Sequence, residues 1–525
     1  MDMERRRARA REMWAARSGW DSLYNEAYDY VLPNRRPGGA TKGKKPSDKI
    51  FDMTGPTSYA HFAGELQRLL FPPDVPPQIE AGPLVRANFP DKDVAQLDVE
   101  LNRVGRRIYP YMLTGGYDTA ISEFCLDLGI GTAAIIPLKG PSREEPVFFV
   151  TVPIDQFACL WDGWGRLSVF NWLKDMKRHE VVTQWPAGSY SDDFKKLATD
   201  KPNDPVKVYQ EFERVGANWS YCVYFDKDGE IITKAQMRTQ PVAVARFTRI
   251  PGEDYGRGPV LFALPTIKTQ NKAQELALRS FAIDMLGIWA YRSGGTFNPD
   301  TVRIGAGEMW AMQSTGGIMG PDVTRLDTAT GRADITRLVL QGGNQQIREA
   351  LLDTRIRDDG GTPASASEIA ATMRQNANVP LGAYGRLVHS VLPVVIPRLL
   401  EILTEWGLMP NMMSINQLLV SMRVLSPMAI AMKAGEIEGM GNYTQFMAAI
   451  DGPQRVPRYI NRDRVSRHAQ STFGVNVDLL TTEAEKKKFD DDEQAAIHKA
   501  AMAEMAAKAA LQIAQAALEP APAAA

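Results

Sequence analysis

Tyr255-Gly-Arg-Gly-Pro-Val-Leu-Phe-Ala-Leu-Pro-Thr-Ile-Lys-Thr-Gln-Asn-Lys-Ala-Gln-Glu275 leads from a glycine-flanked turn directly into a helix. Gly256 and Gly258 read as a flexible entry, and Pro259 suits the first helical position, where a missing N–H costs nothing. Leu264, Ile267, Asn271, Gln274, Leu278, Phe281, Met285 and Trp289 then recur at three- and four-residue steps and share one face, only half of it apolar. A second stripe at the same spacing, Lys268, Lys272, Glu275 and Arg279, is wholly charged. The spacing predicts a helix over 259–291, about 30 residues and roughly 45 Å long at 1.5 Å per residue. Such a helix is a strut, longer than one globular core requires.

Upstream, residues 3–32 read as a helix with Trp20, Leu23, Tyr24, Ala27, Tyr28 and Val31 along one side and the arginine-rich first turns pointing elsewhere. A basic, Gly/Pro-rich loop covers 35–47, and Lys49 to Phe51 is strand-like. Thr54 then reads as an N-cap with Pro56 near the helix start, and Pro72-Pro73 ends that helix. Helices follow from about Asp91 to Met112 and from Tyr117 to about Leu128. Between Gly129 and Phe247 the pattern changes to short β-rich runs, 147–152, 156–161, 167–173, 206–212 and 219–225, separated by turn signals such as Asp162-Gly163.

Downstream, Gly- and Thr-rich segments over 292–343 read as a small β-containing module. A return helix is expected at 344–357, then a loop, Asp358-Asp359-Gly360-Gly361-Thr362-Pro363-Ala364-Ser365-Ala366. A helical region over 367–406 holds Pro380, Pro393 and Pro397, which predict kinks. Helix resumes beyond Pro427, and the tail from Glu483 to Leu518 is alanine-rich with a narrow seam at Met502, Met505, Ala509, Ile513 and Ala516. The whole reads as α+β and mostly helical.

At 525 residues the chain predicts several domains, and its 44% hydrophobic and 23% charged content is that of a folded protein. A net charge of −1 disfavours tight static binding of duplex DNA, because phosphate neutralisation by basic groups supplies most of that affinity. Cys125, Cys159 and Cys222 are far apart, suiting buried thiols in a reducing compartment, and no run is apolar enough to span a membrane. Gly38 to Lys44 follows the start of a phosphate-binding loop, but Lys45 stands where a Ser or Thr should hold magnesium, and neither strand nor helix flanks it. The five histidines are scattered, and Asp490-Asp491-Asp492-Glu493 follows three lysines as a solvated helix start would. No catalytic residue, metal site or cofactor is expected. The stripe of Lys268, Lys272 and Arg279 stays open between a solvated, internally paired face and the lining of a passage for a polyanion.

In order along the chain, Tyr-rich 20–36 ending Leu-Pro-Asn-Arg-Arg, Phe51-Asp-Met-Thr-Gly-Pro-Thr-Ser-Tyr-Ala, Phe62-Ala-Gly-Glu-Leu, Leu70-Phe-Pro-Pro, Tyr255-Gly-Arg-Gly-Pro with Ala263-Leu-Pro-Thr-Ile-Lys, Thr362-Pro-Ala-Ser-Ala-Ser-Glu-Ile, Tyr384-Gly-Arg-Leu and Leu399-Leu-Glu-Ile-Leu resemble the head-to-tail connector, or portal protein, of short-tailed bacteriophages. Met53 and Thr266 depart from the pattern. The resemblance implies a homo-oligomeric ring, a dodecamer, at one capsid vertex, with a channel for double-stranded DNA during packaging and ejection. It implies a wing over 1–258, a first stem helix over 259–291, a clip over 292–343, a second stem helix over 344–357, a tunnel loop over 358–366, a kinked helix and wing return over 367–426 and a helical crown over 427–525. Implied partners are the terminase large subunit, major capsid and scaffolding proteins and tail adaptor proteins, with synthesis in the host cytoplasm. On this reading Lys268, Lys272 and Arg279 are DNA-channel candidates. The half-polar face of Asn271, Gln274, Leu278, Phe281, Met285 and Trp289 becomes a subunit contact.

Overall fold

The computed structural model describes residues 3–35, 49–72, 76–225, 231–286, 288–291, 323–326, 331–353, 381–409, 420–423, 427–452, 456–460 and scattered positions from 465 to 502. It divides into two compact units, Met1–Ala431 and Met432–Ala525. The architecture is α+β, mostly helical, with small antiparallel sheets.

Helix α1 (Met3–Val31) buries Tyr24, Ala27, Tyr28 and Val31 as its periodicity requires. Its first turns, expected to face away from the protein, are also held. Arg6 and Arg9 pair with Glu211 and Glu213 at 2.6–3.0 Å, and Trp14 Nε1 donates to Asn171 Oδ1 at 3.0 Å. Burial lifts Glu211 above the usual carboxylate range against the pull of both arginines. Burial works the same way on Glu213, but there the Arg9 hydrogen bond and the nearby positive charges outweigh it and hold the carboxyl low.

After α1, Arg35 grips Asp127 with two 3.0 Å bonds while the Tyr28 hydroxyl donates to the same carboxylate at 2.8 Å. Residues 49–51 are not a strand. The N–H groups of Phe51 and Asp52 donate instead to the side chain of Asn271. Helix α2 (Thr54–Leu70) follows, and its cap differs from the expected one: Met53 is at the N-cap position, and Asp52 Oδ1 accepts from both the N–H and the hydroxyl of Thr54 at 3.1 and 2.8 Å. Strand β1 (Gln78–Ala81) and the short α3 (Pro83–Asn88) precede α4 (Asp91–Thr114) and α5 (Tyr117–Leu128). Cys125 and Phe124 on α5 lie in the main core with Tyr59, Phe62 and Leu66 of α2.

Strands β2 (Thr132–Lys139) and β3 (Val147–Val152) open the sheet region. A meander then runs through β4 (Phe157–Trp161) and β5 (Leu167–Lys177), past helices α6 (Arg178–Gln184) and α7 (Asp192–Asp200), to β6 (Pro205–Val215), β7 (Asn218–Phe225) and β8 (Ile231–Met237). Strand β9 (Ala243–Arg246) returns to the other side of β2, giving the order β3-β2-β9. Strands β5 and β6 extend past the expected runs at one or both ends because ladder pairing from Val169↔Glu213 to Lys177↔Pro205 continues where apolar alternation has stopped. All three cysteines are buried and free.

The long helix α8 (Pro259–Leu286) starts where the sequence places it but stops earlier, because Ile288–Tyr291 forms β10, paired antiparallel with β11 (Val323–Leu326). Trp289 therefore lies on a strand. Helix α9 (Gly331–Ala350) begins well before residue 344 and ends before 357. Helix α10 (Leu381–Glu405) continues through Pro393 and Pro397 and packs Val391, Val395, Ile396 and Leu399 into the core. Strand β12 (Val420–Arg423) pairs with β1, and α11 (Pro427–Asp451) crosses the unit boundary. In the second unit the Tyr459 hydroxyl donates to Asp451 beside a short turn at Val456–Arg458. The phosphate-loop-like segment 38–44, the expected tunnel loop 358–366 and most of the clip and tail lie outside the described residues.

Candidate functional site

The feature that leaves the body of the protein is the helical hairpin of α8 and α9. Its root is built on close backbone approach rather than on flexibility. Tyr24 Oη donates to Gly256 O at 2.6 Å, Gly256 N donates to Thr132 Oγ1 at 2.7 Å, and Gly258 N donates to Ile130 O at 2.8 Å. A Cβ at Gly258 would sit 2.0 Å from Gly129 O, so only glycine fits. Tyr255, 2% exposed, packs beside this root with its hydroxyl oxygen accepting from Cys159 N at 3.3 Å.

From that root α8 presents Val260, Ala263, Leu264, Ile267, Gln270 and Asn271 to the interior. Asn271 Oδ1 accepts from Phe51 N and Asp52 N at 2.7 and 3.1 Å, and its amide donates to Lys49 O at 2.9 Å. Expected at a subunit contact, Asn271 is 7% exposed and bonded within its own chain. It anchors the segment before α2 to the strut. Gln270 binds the returning helix, its Nε2 donating to Leu340 O at 2.7 Å and to Asn344 Oδ1 at 2.9 Å. Gly343 makes room for that approach, since a Cβ there would be 2.2 Å from Gln270 Oε1. At the far end of α9, Ser58 Oγ donates to Asp353 Oδ2 at 2.9 Å and Leu352 takes a positive φ of 54°. The chain is thus fixed on α2 just before the segment that leads to residue 358.

The same face of α8 stays apolar beyond the body. At i+7 from Asn271 and i+14 from Ile267, Leu278 and Phe281 are each 49% exposed, and Gln274, one turn before Leu278, is half-buried. Leu276, on another side of the helix, and Val339 on α9 are exposed as well. The side chains of Met285 and Trp289 lie outside the described residues.

The charged stripe is internally matched. Lys268 Nζ donates to Glu26 on α1, a hydrogen bond that raises the lysine's pKa. Glu275 accepts from Lys272 at 2.9 Å and from Arg279 at 2.6 Å, and the Lys272 hydrogen bond holds its carboxyl below the usual range. Three cations therefore face two acids. The cations are exposed and Glu275 is half-buried beneath them, so the pairs contribute little to stability, but they leave the stripe with a small net positive charge rather than a basic patch.

Among the described residues no group of His, Cys, Asp or Glu is placed to hold a metal ion, and no helix is long and apolar enough to cross a membrane. Asn271, Gln270 and the Arg6/Arg9 pair escaped the sequence reading as tertiary contacts because their partners lie 70 to 222 residues away, at Leu340, Lys49, Glu211 and Glu213. The one available signal was the amide of Asn271 on a face only half apolar.

A family model described as bacteriophage head to tail connecting protein matches residues 4–480. No curated protein sequence matches the chain. A solved chain from the virion of a native gene transfer agent particle is 13% identical, covering 81% of this chain and 95% of its own, at a TM-score of 0.34, too low to establish a shared fold.

Proposed function

The chain belongs to the bacteriophage head-to-tail connecting protein family, a structural rather than enzymatic family, and from that premise we propose that it forms the portal ring at one capsid vertex. In this reading a dodecamer surrounds a channel through which double-stranded DNA enters during packaging and leaves during ejection. The terminase large subunit docks first and tail adaptor proteins take its place, while capsid and scaffolding proteins hold the rim. The observation that carries the reading is the exit of α8 from the body with a core-type face still exposed at Leu278 and Phe281. Among the described residues of one subunit nothing covers that face, and neighbouring copies of the hairpin would cover it.

The charge pattern supports the same reading. DNA that must slide has to be held weakly, and affinity for duplex scales with the number of phosphates neutralised. Lys268, Lys272 and Arg279, already matched by Glu26 and Glu275, would guide a polyanion without retaining it. The segment 358–366 would extend into the channel as a tunnel loop, and the tail would form the crown.

Negative-stain imaging of the purified protein tests the proposal. Rings with a central hole and a narrow stem are the expected result; a monomer under all assembly conditions overturns it. Turnover of ATP by the protein alone would favour a packaging motor instead.

A further inference from the structure

Two chemically opposite surfaces lie near opposite ends of strand β2. At the end of β2 marked by Thr132, whose register partner is Arg246, the turn between β4 and β5 meets the segment after β9. The Arg246 guanidinium stacks 3.8 Å from the ring centre of Trp161, which is itself fixed by a 2.8 Å bond from Nε1 to Asp254 O. Arg249 lies over Gly165, where an added Cβ would be 1.9 Å from Nη2, and next to it Trp164 is 82% exposed.

Asp254 acts on Arg246 through its charge, while the other nearby acids serve other arginines. Asp162 pairs with Arg166 and Glu253 with Arg257. Among the described residues neither Arg246 nor Arg249 has a carboxylate within ion-pair distance, and burial together with the Arg249 charge lowers the pKa of Arg246. Arg246 is held by its stacking on Trp161 and by donating from Nη1 to Glu253 O at 2.9 Å, which leaves the exposed Arg249 guanidinium beside an exposed indole, a pairing suited to a carboxylate.

At the other end of β2, beyond Lys139, the chain turns tightly, with Gly140 N bonded to Pro146 O at 2.8 Å. Glu144 and Glu145 project from this turn next to Arg143, exposed and, among the described residues, without an ion-pair partner. This tip carries one excess negative charge. Strand β2 spans eight residues, so about 25 Å at 3.3 Å per residue separates the two surfaces. One copy cannot close that gap on itself. We propose that the Arg249–Trp164 surface of one copy receives the Glu144–Glu145 turn of the next, a head-to-tail contact between neighbours in the wing.

A contact between different surfaces of identical subunits propagates and closes into a ring when its rotation allows. Charge complementarity selects this occupant over DNA, because the acidic partner is present on the same chain at the far end of β2. Trp164 supplies apolar area for the partner turn, whose Pro141 is exposed. The inference rests on the ring reading above, and the test separates the two.

Sedimentation velocity over a concentration series would be run on the wild type, on Arg249→Glu, on Glu144→Arg/Glu145→Arg and on the combined variant. All altered side chains are exposed, and circular dichroism checks that each variant is folded. Each reversal alone is expected to raise the concentration for half-assembly by roughly tenfold or more, and the combination to recover most of that loss. Rings formed by either reversal as readily as by the wild type overturn this contact and leave the ring reading intact. A combined variant as impaired as the two reversals together shows that another group occupies the site and likewise overturns it. A wild type that never oligomerises overturns the ring reading and this contact with it.

Discussion

Gly342 and Gly343 stand side by side in α9 and answer to different constraints. Nothing lies within 4 Å of a Cβ built on Gly342, whereas one on Gly343 meets Gln270 Oε1 at 2.2 Å. Alanine restores roughly 1 kcal/mol of helix propensity at either site. Gly342→Ala is therefore expected to stabilise the unassembled protein by up to about 1 kcal/mol. At Gly343 the Gln270 amide, held by Leu340 O and Asn344, must move, and loss of its buried hydrogen bonds costs about 1–3 kcal/mol. Gly343→Ala should lower the melting temperature while Gly342→Ala raises it; equal shifts from both would remove the packing role of Gly343. Glu211 is one of two carboxylates that Arg6 and Arg9 share. Its replacement by Gln leaves Glu213 alone to serve both arginines, a loss of about 1–3 kcal/mol in denaturant unfolding. Glu401 ties α10 to the chain after β8. Burial opposes its ionisation, but the Thr239 hydroxyl, the Arg238 N–H and Arg398 together hold its pKa below the ordinary 4.5. A depressed carboxyl stabilises the fold above its unfolded pKa, and that contribution disappears as pH falls through the folded value. Glu401→Gln should be less stable than the parent at pH 7, with the difference closing below about pH 4.5; a difference unchanged down to pH 2 would exclude this linkage.

Among the elements, those defined by their own periodicity were legible in the sequence. The α5 helix, β3 and the start of α8 fall where spacing and Pro259 place them. Elements defined by distant partners were not. Gly342-Gly343 reads locally as punctuation, which moved the expected start of the return helix to 344; in the protein these glycines lie inside α9 because Gln270 needs the space. The segment 49–51 has strand-like composition, but its backbone donors are taken by Asn271 rather than by a ladder. The candidate site was legible as a strut with a mixed face, while the division of labour along that face was not. Asn271 is internal, and only the turns beyond Ala277 are uncovered. This division makes a prediction at the scale of the helix. Phe281→Glu, beyond the body, should abolish or strongly weaken ring formation while leaving the melting temperature of the monomer within about 1 °C, as surface changes do. Asn271→Ala should instead lower stability by about 1–3 kcal/mol, because it strands the N–H groups of Phe51 and Asp52. Intact rings in Phe281→Glu would place the exposed face of α8 outside the subunit contact.

At the scale of the whole molecule, charge is balanced globally and locally. The chain carries 61 basic and 62 acidic residues, and the stripe on α8 repeats that balance, with Lys268, Lys272 and Arg279 set against Glu26 and Glu275. If the stripe lines the channel, alanine at all three cations leaves two unmatched acids facing the DNA, so a weakly attractive wall becomes a repulsive one. Packaging should then fail or slow at low ionic strength and recover as salt screens the wall, since the screening length falls from about 30 Å at 0.01 M to about 8 Å at 0.15 M. The converse change, Glu26→Gln with Glu275→Gln, leaves three free cations. It should slow ejection and steepen the salt dependence of DNA retention, each added phosphate contact contributing about −0.9 to the slope of log K against log salt. Ring formation and monomer stability serve as controls in both variants, because the cations of these pairs are exposed and such pairs contribute little to the fold. Packaging and ejection unchanged in both variants at low salt would place the stripe on the outer surface of the stem. Opposite shifts in the two variants require a polyanion passing close to α8, because a stripe facing bulk solvent has no means of sensing which way the charge was changed.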